Sequence, residues 1–231
     1  LADICLMAGD ADEAARHYAL ITETGPAQGR IHANYATALN VLDRHTEALE
    51  QARIAVEFEN DNAEAWNTLG RIELARGEPE EALSPLKKAA ELKPDWFAPW
   101  LDLGISLQQL DRMPEALASF NEAWKLNPDD PETGKALASV CISSGQTEFA
   151  DEILARLSTL FPQDGEIDFH RAISLRSQGK LEESVRLFRR AIEMGLNVPE
   201  VHNNLAVSLF DLNLLDETYT SARKSIELDP E

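Results

Sequence analysis

The sequence predicts an all-α solenoid of about seven helical hairpins. Three observations support this prediction: a pattern that recurs every 34 residues, two columns of small side chains, and a column of residues that can end a helix. Self-similarity at a fixed period of this size is typical of repeat proteins, in which each copy is one supersecondary unit. Because a solenoid spreads its core along the stack, residues 1–231 are predicted to form a single domain.

The register of the repeat is continuous, with no insertion or deletion. Counting from a repeat start at Ala63 places Leu1 at repeat position 7, so the first copy lacks its opening residues. The predicted repeats span residues 1–28 (partial), 29–62, 63–96, 97–130, 131–164, 165–198 and 199–231.

Small side chains occupy repeat positions 8 and 20 in every copy. Position 8 is alanine or glycine, and position 20 is alanine, serine or threonine; Gly104 and Ala116 are one such pair. Two small columns allow two helices to approach closely, so we expect positions 8 and 20 to face each other inside each hairpin.

Three further columns indicate where the helices begin and end. Position 15 holds residues that tolerate the left-handed conformation at the end of a helix, namely Gly9, Asp43, Gly77, Asp111, Gly145, Gly179 and Asn213. Position 19 is glutamate in six copies, which suits the positive N-terminal end of the second helix. Position 32 is proline in five copies, which prevents the second helix from continuing: Pro26, Pro94, Pro128, Pro162 and Pro230.

Apolar columns at positions 7, 11 and 24 give each helix one apolar stripe. Some copies depart from the pattern. Glu73 replaces an apolar residue at position 11, and Arg171 replaces the leucine at position 7. Gly134 and Asp168 replace the aromatic residue at position 4, so the fifth and sixth copies are the least regular.

The columns together resemble the tetratricopeptide repeat, whose signature is Trp-x2-Leu-Gly-x2-Tyr, then Ala-x3-Phe, then Pro. One copy matches this signature with Trp100, Leu103, Gly104, Ala116, Phe120 and Pro128, and the preceding copy with Trp66, Leu69, Gly70, Ala82 and Pro94. The resemblance covers the whole chain. It implies a right-handed superhelix of hairpins whose first helices line a concave groove. It also implies a protein that holds partners instead of converting substrates.

Composition limits the class of partner. Lysine and arginine number 21 against 41 aspartates and glutamates, giving a net charge of −20. This charge argues against nucleic acid and anionic membrane surfaces, which require basic patches. No apolar run approaches membrane-spanning length and no signal peptide is visible. The location is unknown, and a cytoplasmic one is favoured. Cys5 and Cys141 both fall at position 11 and are interpreted as buried thiols in a reducing compartment.

The sequence contains no recognisable catalytic constellation. Histidine and cysteine pairs with the usual metal-ligand spacing are missing, as is a glycine loop that would cradle phosphate. We therefore expect no enzyme activity, no cofactor and no metal in these residues.

The candidate binding residues follow from the resemblance, which implies that positions 2, 5, 6, 9, 12 and 13 face the groove. Asparagine side chains both donate and accept hydrogen bonds, so they can hold an extended peptide backbone. Exposed apolar side chains can anchor a partner. The predicted groove residues are Asn34, Asn67, Leu101, Ile105, Phe169, Ile173, Asn203, Asn204 and Phe210.

Three functions remain open. The first is a protein-interaction scaffold that binds a peptide or a partner protein. The second is the substrate-binding arm of a larger glycosyltransferase, because the segments 66–70 and 202–206 look like repeats of O-linked N-acetylglucosamine transferases and their bacterial relatives. The third is self-association through the terminal repeats, where Leu209, Leu212, Leu214 and Leu215 are expected to be exposed.

A fourth mode, the grip on acidic C-termini used by some tetratricopeptide co-chaperones, is rejected. Only Lys135 matches that pattern, and Glu200 reverses a charge that the mode requires.

Overall fold

The computed structural model describes residues 1–25 and 28–229 and is all-helical there, with no strand among the described residues. The helices within these ranges are α1 (Ala2–Met7), α2 (Ala11–Thr24), α3 (Gly29–Val41), α4 (His45–Phe58), α5 (Ala63–Ala75), α6 (Pro79–Leu92), α7 (Phe97–Gln109), α8 (Met113–Leu126), α9 (Pro131–Ser143), α10 (Thr147–Leu160), α11 (Gly165–Ser177), α12 (Leu181–Glu193), α13 (Pro199–Asp211) and α14 (Leu215–Leu228). None of them is long and apolar enough to cross a membrane. The predicted all-α class and the helical hairpins are confirmed.

The helix boundaries follow the 34-residue register. Each complete copy begins its first helix at repeat position 1, from Gly29 in α3 to Pro199 in α13. Each second helix begins at position 17, from Ala11 in α2 to Leu215 in α14. The periodic columns in the sequence therefore correspond to one hairpin per copy.

Position 15 ends the first helix in all seven copies through one backbone motif. Its residue has a positive φ in each copy, between 56° at Asp43 and 81° at Gly9. The amide of position 16 donates to the carbonyl of position 11, as Arg112 does to Leu107 at 2.8 Å. This pattern is the Schellman motif, and it satisfies carbonyls that the helix end would leave free. The prediction that this column ends the first helix is confirmed.

The starts and ends of the second helices also match the sequence pattern. The position-19 glutamates lie in the first turn of their helices, as Glu13 does in α2 and Glu183 in α12. Pro94, Pro128 and Pro162 follow helix ends, whereas Pro26 and Pro230 lie outside the described residues. Where position 32 is Leu196, α12 ends one residue earlier, and Gly195 adopts a φ of 97°.

The helices form two compact units, Leu1–Leu126 and Asn127–Glu231. In the first unit the core contains the fully buried Tyr18, Leu39 and Ile72; in the second it includes Phe188 and Leu209. First helices pack side by side within each unit: α3, α5 and α7 in the first, and α9, α11 and α13 in the second. The prediction of one solenoid over residues 1–231, and its handedness, stay predictions.

In two hairpins the glycine at position 8 lies closest to the position-24 side chain, and in one of them it also meets the backbone of position 20. A Cβ atom on Gly104 would lie 2.5 Å from the ring of Phe120, and one on Gly70 would lie 2.5 Å from Leu86. The backbone oxygen of Ala82, at position 20, would lie 3.4 Å from the Cβ atom on Gly70. In these two hairpins the position-24 side chain fills the space that a Cβ atom at position 8 would take.

Ion pairs compensate for three of the departures from the repeat pattern. Glu73 is buried, and its carboxylate lies 2.5 Å from Arg76 and 3.6 Å from Arg53. Asp168 is only 1% exposed, and its Oδ2 lies 2.6 Å from Nε of Arg190.

The third departure, Arg171, donates through Nε to Oδ1 of Asp151 at 2.8 Å. Buried charges are tolerated when they are paired, so partners on other helices let these copies keep the hairpin geometry.

Candidate functional site

The first-helix surface is defined here as positions 2, 5, 6, 9, 12 and 13 of the first helices, and it is considered separately in each unit. The first unit carries four of the nine predicted groove residues: Asn34, Asn67, Leu101 and Ile105. The second unit carries the other five: Phe169, Ile173, Asn203, Asn204 and Phe210.

Asn34 is engaged within the chain. Its Nδ2 donates to Oδ1 of Asp3 at 3.1 Å, and the hydroxyl of Tyr18 donates to the same oxygen. These two hydrogen bonds, that from Tyr18 above all, lower the pKa of Asp3. The Asn34 amide thus positions an acidic side chain, and one of its donors is already used.

Asn67 differs from Asn34, because it has an unused acceptor. Its side chain is 5% exposed, and its Oδ1 has no hydrogen-bond partner among the described residues. It shares a face of α5 with Arg71, four residues further along the helix. A buried acceptor without a partner costs about 1–3 kcal/mol, so this position is one where a bound donor would be favourable.

Asp102 on the neighbouring helix α7 completes this polar cluster. Its side chain is 14% exposed, and its Oδ2 lies 4.0 Å from Nε of Arg71. Burial raises the pKa of Asp102 to about 6, while Arg71 and a hydrogen bond from Asn67 act in the opposite direction. Leu101 and Ile105, both half-buried, lie on the same helix. The first unit therefore combines acceptors, a guanidinium group and apolar side chains on two adjacent first helices.

Two predicted anchors in the second unit also belong to its core. The ring of Phe169 lies 6.0 Å from that of Phe188 and 5.3 Å from His170, measured between centroids. Ile173 packs against the same apolar cluster. Both side chains remain half-buried, so they offer a partner only part of their surface.

Helix α13 presents the most exposed apolar pair of the first-helix surface in the second unit. Phe210 is 62% exposed and Val207 is 41% exposed, and Asn203 lies one turn before Val207 on the same face. Nδ2 of Asn204 donates to the carbonyl of Glu200 at 2.8 Å, within the helix. Val207 was missing from the predicted residues, although its repeat position 9 belongs to the groove set.

Lys135 on α9 is fully engaged by carboxylates. Its Nζ lies 2.6 Å from Glu166, 2.9 Å from Glu132 and 3.7 Å from Asp164. Burial alone lowers the pKa of Lys135, but the hydrogen bonds to Glu166 and Glu132 raise it overall. Because three carboxylates already surround the ammonium group, this lysine does not offer a free charge to an acidic peptide.

The chain is similar in sequence to known proteins and in fold to solved structures. The Tetratricopeptide repeat-containing protein trd-1 of Caenorhabditis elegans is 22% identical over 187 residues, which are 80% of this chain and 23% of that protein. The structure of the APC/C hetero-tetramer Cut9-Hcn1 superposes with a TM-score of 0.77 at 15% identity, covering 97% of this chain and 44% of the matched chain. YrrB, described as a TPR protein with an unusual peptide-binding site, superposes with a TM-score of 0.67 at 21% identity. The superposition covers 79% of this chain and 94% of the YrrB chain.

The chain thus spans less than a quarter of the worm relative's length. Its similarity to the solved structures establishes the tetratricopeptide fold. A family model covers nearly the whole sequence, matching residues 1–230. The chain therefore belongs to the tetratricopeptide family described as the Cilia and flagella-associated protein 70 C-terminal domain.

Proposed function

We propose that this chain is a non-catalytic interaction scaffold that holds a peptide or a partner-protein segment on its first-helix surface. The observation that carries the proposal is the pair Val207 and Phe210, which expose apolar surface next to the amide of Asn203. An exposed apolar patch with polar groups at its border is typical of a protein interaction site. The peptide-binding site described for YrrB supports the same use of the fold.

The polar cluster in the first unit supports peptide recognition on the same class of surface. Asn67 has a free acceptor, Asp102 a carboxylate and Arg71 five donors, so the cluster can accept from a backbone N–H and donate to a carbonyl. These groups recognise the amide unit that every peptide shares. We propose that sequence preference comes from the neighbouring apolar side chains, since they distinguish one ligand side chain from another.

Replacing Val207 and Phe210 together by serine is expected to reduce partner capture from an extract of the source cells about ten-fold or more. Both side chains are exposed, so their loss removes anchors without opening the core. Quantitative mass spectrometry of proteins retained by the immobilised chain gives the ratio, and circular dichroism verifies that helix content is unchanged.

The matched control is Phe149→Ser, which removes an exposed aromatic ring from the second helix α10. This variant should capture the same partners as the wild type. If the Val207→Ser, Phe210→Ser variant also retains those partners at wild-type levels, the first-helix surface is not the binding surface.

The transferase-arm alternative receives less support from the geometry. It requires a ladder of free asparagine amides, yet Asn34 donates to Asp3 and Asn204 donates within its own helix. We therefore favour the scaffold over the glycosyltransferase arm.

We also propose weak self-association through the terminal hairpins. The expectation that Leu209 and Leu212 are exposed is wrong, because Leu209 is fully buried and Leu212 is half-buried against the core. Leu214 and Leu215 are exposed as expected, and Tyr219 and Ile226 extend this apolar face along α14. The same surface is covered in other copies, where the equivalent Leu83 and Ala90 are buried.

Sedimentation velocity over a range of protein concentrations is expected to show a rising weight-average mass. Substituting Leu215, Tyr219 and Ile226 by lysine should abolish the rise, because charges on all three sites oppose apolar contact. A wild-type chain that sediments as a monomer at every concentration would exclude self-association.

A further inference from the structure

The first hairpin brings together three side chains with metal-binding atoms. Cys5 lies on α1, and Glu13 and His17 lie one turn apart on α2. The thiol sulfur, a carboxylate oxygen and an imidazole nitrogen all lie within 4.8 Å of one another. Nε2 of His17 is 3.6 Å from Oε1 of Glu13. No other group of three such residues occurs among the residues that the structure describes.

The distance between His17 and Glu13 matches that of a tetrahedral zinc site, and the thiol sulfur lies within 4.8 Å of both ligand atoms. With Zn–S near 2.3 Å and Zn–N or Zn–O near 2.0–2.2 Å, neighbouring ligand atoms around the ion lie about 3.3–3.6 Å apart. The side chain of Glu13 is exposed and that of His17 is partly exposed, so both can rotate through the remaining distance. Cys5 is held by the packing of α1, and its sulfur provides a fixed point.

We propose that Cys5, Glu13 and His17 form a binding site for Zn²⁺ or a similar borderline-soft divalent cation. Thiolate, imidazole and carboxylate are the three ligand types that zinc takes in proteins, and a water molecule completes four-coordination. On binding, the S–H bond of Cys5 breaks, a sulfur–metal bond forms, and the proton passes to solvent. The site lies in the first hairpin and is independent of the proposed first-helix binding surface.

The metal would fasten α1 to α2. A cation that binds the folded hairpin stabilises it by mass action. The spacing of the three ligands in the sequence matches no familiar zinc motif, because the hairpin and not a local segment brings them together.

The chain offers a matched cysteine control. Cys141 occupies the same repeat position as Cys5 and is also buried and free, but it belongs to no such group among the described residues. Cobalt(II) is a suitable probe because a thiolate ligand gives a charge-transfer absorption in the near ultraviolet. The titration uses the chain without an affinity tag, and Zn²⁺ is then added to displace the cobalt.

Wild type and Cys141→Ser should both show the charge-transfer band and lose it when Zn²⁺ is added. Cys5→Ser should show no band, and His17→Ala should bind cobalt about ten-fold or more weakly, because one of three protein ligands is lost. His17 and Glu13 lie at the surface, so His17→Ala and Glu13→Gln report on the site even if Cys5→Ser unfolds the hairpin. The proposal is overturned if the wild type gives no band, or if His17→Ala and Glu13→Gln both bind cobalt as tightly as the wild type.

Discussion

Replacing Arg190 with methionine is expected to lower the free energy of unfolding by about 3 kcal/mol at neutral pH. Asp168 is 1% exposed, and Nε of Arg190 lies 2.6 Å from its carboxylate. Removing one partner of a buried pair leaves an uncompensated charge, which typically costs about 3–5 kcal/mol. We place the effect at the low end because the Arg190 side chain is 42% exposed. Urea unfolding followed by circular dichroism measures the loss.

The loss should depend on pH in a defined direction. Burial raises the pKa of Asp168 above its ordinary value even with Arg190 present, and removing Arg190 raises it further. A carboxyl whose pKa is raised on folding destabilises the fold increasingly as pH rises from its pKa in the unfolded chain through its pKa in the folded chain. The difference between variant and wild type should therefore be larger at pH 7.5 than at pH 4.5.

Two comparisons separate this effect from a general loss of charge. Arg189→Met removes the neighbouring arginine, whose pair with Glu217 is exposed, and should cost less than about 1 kcal/mol. The double variant Asp168→Leu, Arg190→Met should recover much of the stability, because replacing both partners by apolar groups avoids the unpaired charge. Equal losses for Arg189→Met and Arg190→Met would contradict the importance of the buried pair.

Gly104→Leu is expected to cost about 3 kcal/mol or more. Even the first side-chain atom at this position would lie 2.5 Å from the ring of Phe120, which is fully buried in the same hairpin. Overpacking of a filled core typically costs about 1–3 kcal/mol, and we place the effect at the upper end because Phe120 is fully buried. Thermal unfolding followed at 222 nm measures the change.

The control for this prediction is Ala118→Leu, which adds the same bulk at an exposed position of α8 and should change stability little. The cost of Gly104→Ala should shrink in a Phe120→Ala background, because the two sites share one contact. An unchanged melting temperature for Gly104→Leu would mean that positions 8 and 24 do not face each other in solution.

The sequence by itself determined the hairpin register. Positions 15, 19 and 32 encode local events, namely a left-handed helix end, a favourable first turn and a helix stop, and each depends on only a few neighbouring residues. That is why Gly9, Asp43 and Asp111 adopt the conformation that their residue types predict. The tetratricopeptide resemblance follows from the same columns and agrees with the family match over residues 1–230.

The candidate site was predicted less completely, because exposure depends on neighbours. The sequence places Phe169 and Phe210 at equivalent faces of their helices, but only the packed structure distinguishes a ring held against Phe188 from one open to solvent. Val207 was missed although its repeat position 9 belongs to the groove set, and its exposure is seen only in the structure. Asn34 and Asn67 have the same residue type, yet one is hydrogen-bonded to Asp3 and the other has a free acceptor.

Long-range pairing was decided by the tertiary structure alone. The partners of Asp168, Glu73 and Lys135 include side chains on other helices, at sequence separations that no local pattern specifies. The same is true of Cys5 and His17, which the α1–α2 hairpin brings together. Hydrogen bonding within three or four residues fixes where each helix ends, so the repeat can be read from the sequence. The partner of a side chain depends on which helices are packed side by side, so only the folded chain shows these contacts.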